Sequence, residues 1–160
     1  MKSLFVRNVN RKLFANHSRF THFTANGKTK TMKTTNILLW ISRLVAAIIM
    51  LQTLFFKFTA APESVYIFDK VGLGAPGRIG SGIAELIASL LILFPKTSLY
   101  GAVIAVGVMA GAIASHLTVL GIEVMGDHGQ LFIYAVLVTI ASLHIIWNGR
   151  TQFLSLIKKN

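Results

Sequence analysis

Four apolar stretches, at about residues 37–58, 78–94, 99–120 and 131–147, fill most of this 160-residue chain. The hydrocarbon core of a bilayer is roughly 30 Å thick and takes about 20 helical residues to cross. Backbone polar groups in lipid must be satisfied within the segment, so each stretch is constrained to be a helix. Charged residues make up only 13% of the chain, about half the share usual in soluble domains. The expected fold is all-α: a polytopic membrane protein built as an antiparallel up-and-down four-helix transmembrane bundle. Residues 61–71, which open on Ala-Pro-Glu and carry Val65, Tyr66 and Phe68, predict a short interfacial helix after the first span.

Three regions follow from this pattern: a basic tail over residues 1–35, a membrane domain over 36–148 and a C-terminal tail over 149–160. Lys2, Arg7, Arg11, Lys12, Arg19, Lys28, Lys30 and Lys33 supply eight of the sixteen Lys and Arg residues, and no acidic residue accompanies them. With no nucleic-acid motif present, we expect no nucleic-acid partner. Basic charge flanking the first span reads instead as a topology signal and a point of attraction for membrane lipids. The tails and the Lys96 turn are basic, whereas Glu63, Asp69, Glu123 and Asp127 lie in the other two loops. This asymmetry predicts that both termini are cytoplasmic.

Leu4, Phe5, Val9 and Leu13 recur at helical spacing, so residues 3–14 suit a surface helix. Met32-Lys33 is also an ordinary start for a protein whose first span begins at Ile37, which would make residues 1–31 a start-site artefact or a dispensable tail. The segment lacks the apolar run and cleavage site of a signal peptide.

There is no cysteine. Disulfides, thiol relays, covalent haem attachment and a CxxC thiol–quinone mechanism are therefore excluded.

Ionisable residues inside the spans carry the functional argument, because a charge in hydrocarbon must be paired, wetted or used. Arg43 lies roughly 9 Å from the inner edge of the first span, Glu85 roughly 14 Å from that of the second, and Gln52 roughly 22 Å up the first. These depths let Arg43, Gln52 and Glu85 meet, and one reading of them is a polar pocket for the head of a quinone or similar lipid-soluble molecule. A structural ion pair without ligand and a proton relay use the same residues. Lys57, near the outer boundary, is placed to snorkel.

His116 and His144 do not suit a shared haem, since they fall roughly 6 Å and 20 Å below the same end of the bundle. His116 is expected at the outer mouth, with Asp127 and His128 near it. No metal-ligand spacing is present, so no metal is expected. Gly107, Gly111 and Ser115 form a small-residue face suited to close helix packing and, secondarily, to a homo-oligomer.

The order of these features resembles the DoxX-like membrane proteins. The resemblance runs from Ile37 to Trp147 and rests on Arg43, the Phe55-Phe56-Lys57-Phe58 close of the first span and Pro62-Glu63. It continues through Leu73-Gly74, Pro76, Arg78, Gly82 and Glu85 to Met109-Ala110-Gly111-Ala112 and Ser115-His116-Leu117-Thr118. It implies a four-helix bundle in a bacterial inner membrane, with functional positions at Arg43, Lys57, Glu85 and His116. Some relatives are linked to thiosulfate–quinone oxidoreduction or to redox-defence complexes, so redox-complex subunits are the implied partners and quinone the implied ligand. The lack of cysteine and of a redox-cofactor motif departs from a catalytic version and favours an accessory subunit over a stand-alone enzyme. A structural scaffold is the rival reading, and a small-solute or proton transporter the third.

Overall fold

The computed structural model describes residues 34–157, with side chains as far as Arg150. Expectations placed on residues 1–33 (the surface helix and the alternative start at Met32) and on Lys158 and Lys159 lie outside the described residues. All regular structure among the described residues is helical. The chain runs through α1 (Thr34–Phe58), α2 (Pro62–Lys70), α3 (Gly74–Leu93), α4 (Ser98–Ser115), a π-helical turn (His116–Leu120) and α5 (Gln130–Ile157). The predicted all-α architecture of four long helices and one short helix is the one observed.

Four helices are long and apolar enough to cross a membrane, with α4 and the π-helical turn forming one span. Only 22–33% of the most apolar window of each is buried within the chain. Ile48, Phe55, Val103, Leu117 and Ile140 are all more than half exposed. A soluble monomer rarely exposes contiguous apolar surface on this scale, and lipid is the solvent that suits it. This is a multi-pass membrane protein.

The core is built largely from small side chains. Ala46, Ala88, Ala102, Ala105, Ala135 and Ala141 surround Met50, Ile92, Val138 and Ile145. Close approach is most marked at Gly101 of α4. A Cβ there would lie 2.7 Å from both the Ala88 carbonyl oxygen and the Ile92 nitrogen of α3. Only hydrogen fits against that backbone, and α4 packs on both α3 and α5.

Helix ends explain where sequence and structure differ. The glycines and Pro76 before the second span read as helix breakers, yet α3 already begins at Gly74. Pro76 occupies its first turn, where backbone N–H groups have no intrahelical acceptor and a missing donor costs little. Gly72 and Gly74 take the left-handed conformations, at φ 76° and 54°, that turn the chain out of α2. At the other end of α3, Pro95 follows the last turn, and Thr97 Oγ1 donates to the Leu91 carbonyl at 2.9 Å. That hydroxyl satisfies a carbonyl the ended helix leaves open.

Candidate functional site

A cavity of about 580 Å³ opens in the half of the bundle that carries α2. Its walls come from α1, α2, α3, α4, the π-helical turn and α5, and most of them are apolar: Ile49, Met50, Phe56, Ile67, Phe68, Val108, Leu131 and Val138. Polar groups border it on both sides, and the larger set is on α1, α2 and α3.

Glu85 stands at the centre of that group and is 2% exposed. Its Oε1 lies 2.5 Å from Lys57 Nζ, and its Oε2 accepts a hydrogen bond from Thr53 Oγ1 at 3.0 Å. Thr53 and Lys57 are four residues apart on α1, so one helical face presents both donors to the carboxylate. Burying a carboxylate is costly unless its charge is matched and its lone pairs are occupied. This arrangement meets both requirements, and Lys57 retains N–H donors beyond the one it spends on Glu85.

Arg78 completes the support. It is 9% exposed, and its Nη1 donates to the Lys57 carbonyl at the end of α1. Phe58, the next residue, rests over Gly82, where a Cβ would meet the ring at 3.2 Å. Arg78, Gly82, Glu85 and Ser89 follow one face of α3 at spacings of four, three and four, and all are buried. Sequence reasoning left Arg78 at a loop boundary. Its helical spacing from Glu85 was the signal available.

α2 adds Glu63 and Ser64 to the wall. Ser64 is 6% exposed, and its hydroxyl is buried with no hydrogen-bond partner. A hydroxyl left in that state loses its hydration without recompense. Among the described residues it is the one buried side-chain polar atom of the cavity wall without a partner.

Of the residues expected to form a pocket, Glu85 and Gln52 both line this cavity, and so do the secondary candidates Lys57 and His116. Arg43 does not. Its Nη2 donates to Ser98 Oγ at 3.2 Å, and its guanidinium lies 5.3 Å from the Trp40 ring centroid. The expected meeting of Arg43 with Glu85 is therefore replaced by Lys57 with Glu85. Depth explains the correction. Arg43 lies level with the start of α4, whereas Thr53, ten residues on, is about 15 Å farther along α1. An arginine side chain does not span that distance.

His116 is buried at the first position of the π-helical turn. Gly121 holds it twice: the Gly121 N–H donates to the His116 carbonyl at 2.9 Å, and His116 Nδ1 lies 2.8 Å from the Gly121 carbonyl oxygen. A carbonyl only accepts, so Nδ1 carries a proton. Phe132 packs edge-on against the imidazole at 5.7 Å. His144 has a helix–helix role, sharing a 2.8 Å hydrogen bond with Ser42 of α1.

The Gly107–Gly111–Ser115 face also differs from its expected role. A Cβ on Gly107 or Gly111 would meet nothing within 4 Å, and all three residues line the cavity. Within the chain these small residues leave room and do not bring helices together.

The loop from Gly121 to Gly129 closes this end of the cavity through Asp127. Its carboxylate accepts from the backbone N–H groups of Val124 at 2.8 Å, Gly129 at 3.0 Å and Leu131 at 3.0 Å. Burial pushes the Asp127 carboxyl up, but these three bonds, aided by His116, outweigh it and hold it below the ordinary value. Met125 and His128 occupy left-handed backbone at φ 53° and 52°, so the carboxylate ties down a loop with unfavourable local geometry.

No family model, curated protein or solved structure matches the chain. The site therefore rests on its own chemistry.

Proposed function

We propose that the cavity binds the polar head of a quinone or membrane lipid and that the protein is a DoxX-like accessory subunit of a redox-linked membrane assembly. The observation that carries this reading is the unpartnered, buried Ser64 hydroxyl in the wall that also holds the Lys57–Glu85 pair. The donor set suits carbonyl or hydroxyl oxygens: Lys57, Ser64, Gln52 and Tyr134 all border the space, and the apolar walls suit a ring or chain. A bound quinone would supply the electron and proton carrying capacity. The chain's own residues would position it, with Lys57 and Ser64 donating and Glu85 fixing the lysine. The basic flanks favour cytoplasmic termini in a bacterial inner membrane.

Mass spectrometry of molecules that co-purify with the wild type, with Glu85→Gln and with an unrelated four-helix membrane protein tests this. We expect a quinone or lipid specific to the wild type and depleted in the variant. Identical background lipids in all three would refute the binding role and leave a structural subunit.

A further inference from the structure

We propose a second site, independent of the quinone reading, at the other end of the bundle: Arg43 and Lys96 grip the phosphate of an anionic phospholipid. Arg43 occupies a membrane-spanning helix, yet among the described residues the ion pairs are Lys57 with Glu85 and His128 with Glu123. Arg43 has a hydroxyl from Ser98 and the face of Trp40, and its Nε is buried without a partner. Neither a hydroxyl nor an indole ring neutralises a guanidinium. A charge in this position needs an anion or water.

The structure provides a place for an anion. A cavity of about 100 Å³ lies beside Arg43, bordered by Lys96 of the α3–α4 connection, Ser98 at the start of α4 and Asn148 of α5. Among the described residues, no carboxylate borders it. α4 starts at Ser98, so the positive end of its dipole reinforces the two cations. The space suits a phosphate and excludes a whole lipid, whose chains would remain outside against exposed apolar surface such as Val103 and the ring of Tyr100.

The surroundings favour a lipid over free phosphate. Trp40 and Trp147 are 45% and 64% exposed. The Ser42–His144 bond sets α1 against α5, and Leu99 would lie 3.3 Å from a Cβ on Gly149. Both indoles therefore sit at this end of the bundle, and Arg150 stacks on Trp147 at 3.7 Å. Tryptophans with basic neighbours mark the headgroup level of a bilayer.

Native mass spectrometry of the full chain in detergent, offered equal amounts of dioleoyl phosphatidylglycerol and phosphatidylcholine, tests the site. The wild type should retain phosphatidylglycerol preferentially, and Arg43→Gln and Lys96→Gln should each lower that preference about fivefold. Lys96 is exposed, so its variant keeps the test valid if Arg43→Gln fails to fold. Equal retention of both lipids by the wild type, or an undiminished preference in the Lys96 variant, would overturn the proposal. Displacement of phosphatidylglycerol by millimolar inorganic phosphate would overturn the lipid source and assign the site to the free anion.

Discussion

The two halves of α4 use the same residue type for opposite ends. Near the Pro95 turn, Gly101 presses against the backbone of α3, and Ala102 and Ala105 are fully buried. Past residue 106, Gly107 and Gly111 face open space and border the cavity. A small residue in a membrane helix is thus not in itself a packing device. What stands opposite decides its role, and here the hollow half also holds the buried ion pair.

The strongest challenge to this contrast is to remove one charge from the hollow half. Lys57→Met should cost about 3–5 kcal/mol by stranding the Glu85 carboxylate, read as lost folded yield in detergent. Combining it with Glu85→Leu should restore most of that yield; failure to do so would mean that the pair specifies the fold. In the close-packed half, Gly101→Ala should cost about 1–3 kcal/mol, since the clash is with backbone that cannot rotate away. A thermal-stability shift near zero there would erase the distinction between the halves.

At the loop that closes the cavity, Asp127→Ala should cost about 1 kcal/mol, in the range of a lost helix cap. The folded carboxyl titrates below its ordinary 3.8, so its contribution is complete above that value. It should fade as pH falls from there through the lower folded value, and the wild type and variant should converge in acid. The smallest effect is expected at Gly107→Ala, which should leave stability unchanged or raise it by less than about 1 kcal/mol through helix propensity. A large loss would show that α4 is close-packed along its whole length.

Much of this fold was legible because hydropathy marks spans directly, and the Lys96 turn and the short α2 helix followed from Pro and charge. The start of α3 was not, because Gly74, Pro76 and Gly77 break a helix in its interior but not in its first turn. Glu85 was legible as a residue that needs a partner. Its partner was mistaken because the ends of apolar stretches do not share one plane: α1 begins at Thr34 and places Arg43 level with Ser98. Lys57 looked like a boundary lysine free to reach water, whereas α2 and Phe68, whose ring lies 5.9 Å from its ammonium, cover it. Whether a glycine faces a helix or a void depends on rotation about the helix axis, which spacing alone does not specify.

The π-helical turn at His116–Leu120 makes the cavity unusually sensitive to chain length. A π turn carries one more residue than the α turn it replaces. Deleting a single residue such as Val119 would let α4 finish as ordinary helix, turning everything beyond it by about 100°. Hydropathy and span count would barely change, yet His116 would lose its clamp on Gly121 and Asp127 its place at the mouth. In this protein a one-codon deletion would dismantle the mouth of the cavity while leaving every coarse sequence signature of the fold intact.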